Sequence, residues 1–158
     1  LKPRELREML EVNTIAPWML SMAVVPLMRA RGAGSIVNIS SISGIRPFAG
    51  SGGYCTSKSA LVMMSQVMAL ELAADRIRVN VICPGMVEDT ELGDALFSPA
   101  QVQASYDRFR PTHPLGRNGK PADVAEAALF FASAQSAWVT GAVLPLDGGR
   151  QLTTNSPA

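Results

Sequence analysis

Ser35-Ile36-Val37-Asn38-Ile39-Ser40 is a short β-branched run, followed by a Gly/Pro-rich loop over 44–53, a long apolar segment over 54–74, and Arg78-Val79-Asn80-Val81-Ile82-Cys83 stopped by Pro84-Gly85. That order of strand, loop, helix and strand decides the fold. A helix of this length between two strands is a crossover, and crossovers join parallel strands with a right-handed sense. Upstream, Leu6, Met9, Leu10, Asn13, Ala16, Leu20 and Val24 recur at three- and four-residue steps, which predicts one helix ahead of the first strand. Arg31-Gly32-Ala33-Gly34 ends it. Downstream, the chain reads as irregular to about Gly119, and Pro121 opens a helix that ends near Ser133. Ala142-Val143-Leu144-Pro145-Leu146 is a last strand, closed by Asp147-Gly148-Gly149. The class is α/β with a parallel sheet.

The chain has 158 residues, 47% apolar and 17% charged, with 14 Lys+Arg against 13 Asp+Glu. This is enough apolar surface for one core, so 1–158 reads as a single domain with a flexible polar tail over 153–158. A near-neutral balance without a basic run argues against nucleic acid as a partner. The apolar run over 19–28 is too short for a bilayer and holds Pro26, which argues against a membrane span. No signal peptide opens the chain, and Leu1 in place of Met suggests a piece of a longer protein. Two cysteines, Cys55 and Cys83, make no disulfide framework and fit a reducing cytoplasm. His113 is the only histidine and has no Cys, Asp or Glu at ligand spacing, so no metal site is expected.

In a parallel sheet, ligands bind outside the carboxyl ends of the strands. Here those ends are the loop after Ser41 and the turn at Pro84-Gly85. Tyr54 and Lys58 stand four apart at a helix start, so they share a face. A cation about 4 Å from a phenol at an effective dielectric near 20 is worth about 4 kcal/mol, or roughly three pKa units at most. The pair is thus a sensible acid/base device, or a surface tyrosine beside a solvated lysine. Ser41 is placed to hydrogen-bond a substrate oxygen, or to cap its own turn. Pro17 removes the donor that the Asn13 carbonyl would otherwise use, leaving that carbonyl for water or for solvent at a kink.

Taken together, these segments resemble the short-chain dehydrogenase/reductase family over almost the whole chain. Residues 35–44 look like its catalytic-serine strand, Tyr54-Cys55-Thr56-Ser57-Lys58 its active-site motif, and residues 78–85 its cofactor-facing strand. Pro114-Leu115-Gly116-Arg117, Pro121-Ala122-Asp123-Val124-Ala125 and Leu146-Asp147-Gly148-Gly149 resemble its closing segments. The resemblance implies a Rossmann-like doubly wound parallel sheet, of which this is the C-terminal part. It implies a tetrad: Tyr54 as general acid/base, Ser41 polarising the carbonyl, Lys58 lowering the Tyr54 pKa and holding the nicotinamide ribose, and Asn13 holding a water through its carbonyl. Cofactor contacts would come from Tyr54, Lys58, Pro84, Gly85, Val87 and Thr90. Thr90 stands one place late, since Asp89 occupies the family's usual Thr position.

The implied function is NAD(P)-dependent hydride transfer to or from a small-molecule carbonyl or secondary alcohol. The substrate pocket would draw on Ser43, Met86, Leu96 and Phe97, with Tyr106 and Phe109 in the same covering segment. The family's Gly-rich loop and Asn-Asn-Ala-Gly strand have no counterpart here, so the chain alone is expected to bind a dinucleotide poorly. The choice between NAD and NADP would lie in that missing half. The alternative is a truncated, catalytically silent chain that serves only in assembly. Helix 54–74 is apolar nearly all round, and relatives pack this helix on its own copy, which implies a homodimer or homotetramer. Met64 or Met68 is the expected outward position for a disrupting charge.

Overall fold

A computed structural model describes residues 2–90 and 98–153. Strands β1 (Gly34–Ile39), β2 (Ile77–Pro84) and β3 (Val143–Leu146) form a parallel sheet in the order β1-β2-β3. The helices are α1 (Pro3–Leu10), α2 (Ala16–Arg31), α3 (Gly52–Glu71), α4 (Pro99–Phe109) and α5 (Pro121–Ala132). β2 is the middle strand and is buried along almost its whole length, as suits a parallel strand covered on both faces. Its positions Ile77 and Val79 pack with Val25 of α2 and with Met68 and Ala69 of α3. Further along, Val81 and Cys83 pack with Val62. The polar residues between them point the other way. Arg78 donates to the carbonyls of Phe131 (2.9 Å) and Ser133 (3.1 Å) at the end of α5, where a cation also suits the helix dipole. Asn80 donates to the Val139 carbonyl and accepts from the Ala142 N–H, both at 3.0 Å, and so guides the chain into β3.

The sheet therefore has α2 and α3 on one face and α5 on the other. Both crossovers step in the same direction along the sheet, from β1 to β2 and from β2 to β3, yet their helices lie on opposite faces. The two connections must then have opposite hands, which corrects the expectation that both are right-handed. The physical reason is coverage. With α2 and α3 occupying one face, β1 and β2 would stand bare on the other unless α5 packed there.

Four further expectations change. The stretch read as irregular up to Gly119 contains α4, opened by Ser98, whose hydroxyl accepts from the Gln101 N–H while the Gln101 side chain accepts from the Ser98 N–H. The first helix is not continuous: a π turn over Glu11–Ile15 separates α1 from α2. Pro17 cannot donate to the Asn13 carbonyl, and the chain takes a wider turn in which the Ala16 N–H reaches the Glu11 carbonyl. By length and composition alone, the helical stretch Pro3–Arg31 of 29 residues is long and apolar enough to cross a membrane, which the 19–28 run taken singly is not. Neither Met64 nor Met68 faces outward on α3. Met68 is 3% exposed and Met64 packs on the same core, whereas Met63, Val67 and Leu70 face solvent. Most of the tail, 154–158, lies outside the described residues.

Candidate active site

A cleft of about 1120 Å³ opens at the carboxyl ends of β1 and β2, where a parallel sheet is expected to bind its ligand. Asn13, Ser41, Ser43, Tyr54, Pro84, Gly85, Met86, Val87 and Thr90 all line it, as do Tyr106 and Phe109 of α4. Leu96 and Phe97 lie outside the described residues.

β1 ends at Ile39, and Ser41 begins a tight turn over Ile42–Gly44. Its Oγ accepts the Ser43 N–H at 3.1 Å, so Ser41 does cap its own turn. That bond occupies a lone pair and leaves the hydroxyl hydrogen to donate. That hydroxyl pulls the pKa of the Tyr54 phenol down, and both side chains line the cleft. The two readings of Ser41 are thus compatible. The turn is pressed onto the first turns of α3: Ser40 Oγ donates to the Lys58 carbonyl at 2.9 Å and Ser59 Oγ to the Gly44 carbonyl at 2.8 Å. A Cβ on Gly44 would stand 2.7 Å from the Lys58 carbonyl oxygen, so only glycine allows this approach.

Tyr54 and Lys58 share a face of α3, with the Lys58 Nζ 5.8 Å from the centre of the Tyr54 ring. The ammonium donates to the Ile39 carbonyl at 3.2 Å and is not part of the cleft lining. Burial pushes the Tyr54 phenol above its ordinary value of 10.0, against the Ser41 hydrogen bond, which pulls it down. Burial likewise lowers the Lys58 ammonium from 10.5, with the Cys83 thiol acting in the opposite sense. The lowering of the Tyr54 pKa expected from Lys58 is absent here. Desolvation of the phenol outweighs a cation that lies over the ring and is turned to the Ile39 carbonyl. The phenol is neutral and carries its proton at physiological pH.

Asn13 reaches the site through the π turn. Its side-chain amide donates to Ser57 Oγ at 3.1 Å, and Ser57 Oγ donates to the Tyr54 carbonyl at 2.9 Å. The adjacent Thr14 hydroxyl donates to the Ser57 carbonyl at 2.9 Å. The π turn is therefore tied to the helix turn that carries Tyr54. The wall formed by the turn after β2 has no side chain at Gly85, where a Cβ would meet His113 Nε2 at 2.9 Å. Asp89 takes a left-handed backbone, φ 57°, which Asp tolerates, and Thr90 after it lines the cleft. An apolar main-chain wall beside a neutral phenol and a serine hydroxyl fits a flat nicotinamide ring next to a carbonyl carbon.

Residues 1–151 match the family model described as Enoyl-(Acyl carrier protein) reductase. This chain belongs to the short-chain dehydrogenase/reductase family. Among curated relatives it is 38% identical to the inactive 2-(S)-hydroxypropyl-CoM dehydrogenase 2 of Xanthobacter autotrophicus, over 87% of this chain and 60% of that one. It is also 38% identical to the 3-oxoacyl-(acyl-carrier-protein) reductase FabG of Thermotoga maritima, over 94% of this chain and 58% of the relative. The structure of ElxO with NADP bound superposes with a TM-score of 0.87 at 28% identity, covering 97% of this chain and 60% of ElxO. The ligand-free aldohexose dehydrogenase of Thermoplasma acidophilum gives a TM-score of 0.86 at 29% identity, covering 100% and 64%. This chain thus spans about 60% of the length of these two curated relatives, and about half of others. Its α/β sheet is part of the Rossmann-like, doubly wound architecture that those neighbours share.

Several residues that line the cleft of this short-chain dehydrogenase/reductase escape the sequence reading: Phe48 from the loop, Val102 and Ser105 from α4, and Arg150 after β3. Two signals could have found the α4 set. Ser98-Pro99-Ala100-Gln101 has the pattern of a capping box with proline at the first helical position, and Val102, Ser105, Tyr106 and Phe109 are spaced as one helix face. Arg150 has no such local signal, since a turn at Gly149 with φ 87° brings it back toward the cleft.

Proposed function

We propose that this chain supplies the catalytic part of an NAD(P)-dependent oxidoreductase acting on a small-molecule carbonyl or secondary alcohol, with Tyr54 as the general acid/base. The observation that carries the reading is that Ser41 and a half-buried, protonated Tyr54 line one cleft at the carboxyl ends of a parallel sheet. Relatives named as a 2-(S)-hydroxypropyl-CoM dehydrogenase and a 3-oxoacyl-(acyl-carrier-protein) reductase, and an NADP-bound structural neighbour, support it. The nicotinamide, when bound, supplies or accepts the hydride. Pro84, Gly85, Val87 and Thr90 would hold its ring end. In reduction, Tyr54 Oη passes its proton to the substrate oxygen while Ser41 Oγ–H donates to the same atom. Lys58 would hold the nicotinamide ribose, and Asn13 steadies the helix turn that carries Tyr54. In oxidation the phenolate takes the proton, so that direction speeds up as pH rises. Two free thiols, Cys55 and Cys83, suit a cytoplasmic setting.

The test is Tyr54→Phe in the intact protein. We expect turnover to fall by about 100-fold or more, with cofactor affinity, read by nicotinamide fluorescence, within about threefold because the ring is retained. A silent chain, the reading that the relative named inactive would favour, predicts no activity in either protein.

A further inference from the structure

Arg150 is the most buried charged residue facing the cleft, with 6% of its surface exposed. Its guanidinium carbon lies over the Phe48 ring at 5.1 Å and over the Phe109 ring at 4.6 Å. Both rings line the same cleft as Tyr54 and Ser41. A guanidinium carries five N–H donors in a planar fork, and this one lines the cleft. Yet among the described residues no hydrogen bond or ion pair reaches the Arg150 side chain.

The nearest carboxylate, Asp147, is otherwise engaged: its oxygens accept the Gly149 N–H at 3.0 Å and the Gln151 N–H at 2.6 Å. The other local charge is repulsive. Arg46 donates to the Arg150 and Gln151 carbonyls at 3.0 and 3.3 Å, so a second cation stands beside the first. Among the described residues, the cleft lining includes Arg108 and Arg150 and has no Asp or Glu.

We infer that Arg150 is the anchor for an anionic group of the substrate, so that the enzyme acts on an oxo acid or hydroxy acid. Aromatic rings against the guanidinium leave its N–H edge for the ligand, and a planar fork matches a carboxylate in bidentate fashion. The anionic end would lie where Phe48 and Phe109 meet, with the reacting carbon at Ser41 and Tyr54. Binding the carboxylate gives these cleft-facing donors acceptors that the described residues do not supply. This inference rests on the oxidoreductase reading above and adds the substrate class to it.

The experiment compares short 2-, 3- and 4-oxo acids with their methyl esters, using the intact protein with NADH and with NADPH. The result is read in the ratio of kcat/KM for acid over ester. We expect wild type to prefer at least one acid over its ester by tenfold or more. Arg150→Met, which keeps length and apolar bulk, should reduce that ratio by about 30-fold, the loss of a hydrogen bond to a charged group, with Arg150→Lys in between. Wild type turning over esters as well as acids would overturn the anchor and leave the oxidoreductase reading standing. An equal loss on acid and ester in Arg150→Met, with a weaker nicotinamide fluorescence titration, would assign the arginine to the cofactor and also overturn it. Turnover of no acid and no ester with either cofactor would overturn the anchor, while the oxidoreductase reading stands or falls with the Tyr54→Phe comparison.

Discussion

His113 shows how one side chain can hold a functional wall without touching substrate. It is 2% exposed, its Nδ1 lies 3.0 Å from the Phe109 carbonyl, and its Nε2 accepts the Met86 N–H at 3.4 Å. Only the neutral ring can donate on one side and accept on the other. It thereby links the end of α4 to the turn after β2, and both Phe109 and Met86 line the cleft. Burial holds its pKa below the ordinary 6.5, and the nearby Arg150 pushes the same way, against the Phe109 carbonyl and Asp147. The sign follows from linkage: an unfolded chain takes up this proton near pH 6.5, while the native one resists until lower pH. Stability should therefore fall as pH drops through and below 6.5 toward the lower folded value. Glu88 and Asp123, whose pKa values are also lowered, lose their contributions only below about 4.5, so the windows separate. His113 is the only histidine, and thermal melts between pH 7.5 and 5.5 should show a decline that is absent in His113→Gln. A decline of equal size in that variant would clear His113 of the effect.

At the scale of elements, the site depends on how closely the loop after β1 is pressed on α3. A methyl group at Gly44 would stand 2.7 Å from both the Lys58 carbonyl oxygen and Ser40 Oγ, so the loop must lift. Gly44→Ala should cost about 1–3 kcal/mol in urea unfolding and reduce turnover by moving Ser41 away from Tyr54. Unchanged stability and turnover would show that the contact is slack. The elements themselves were legible to different degrees. The strands and α3 announced themselves because a parallel strand reads as an apolar run and glycines bracket it. The spacing of Ser41, Tyr54 and Lys58 was legible because strand end and helix start convert it directly into geometry. The helix α4 was missed because Gly/Pro punctuation nearby hid the Ser98–Gln101 box. The hand of the second crossover was not legible, because it depends on which face α2 and α3 have already covered. Arg150 became visible only through packing, since Phe48 and Phe109 are far from it in sequence.

For the whole molecule, the question is what covers the outer surface of α2 and α3. Ser21 and Val25 bury α2 on its inner side, while Met19, Leu20 and Leu27 are 58–70% exposed. On α3, Met63 is 60% exposed and Leu70 81%. So large an apolar face marks an interaction surface. A second copy of the chain is the occupant we propose, each helix meeting its own counterpart across a two-fold axis. The residues to change are those that face outward, which excludes Met64 and Met68, where a charge would enter the core instead. We expect the intact protein to sediment as a dimer or tetramer at micromolar concentration, and Leu70→Glu to halve that mass with the melting temperature of the protomer little altered. Leu129 of α5 and Trp138 after it are also exposed, at 63% and 100%, and offer a second candidate contact. If both are used, the assembly is a tetramer with two kinds of contact, and Leu70→Glu leaves a dimer held by the second. If only the α2–α3 face is used, the same change leaves a monomer. A wild-type protein that sediments as a monomer at these concentrations would refute the interface in either form.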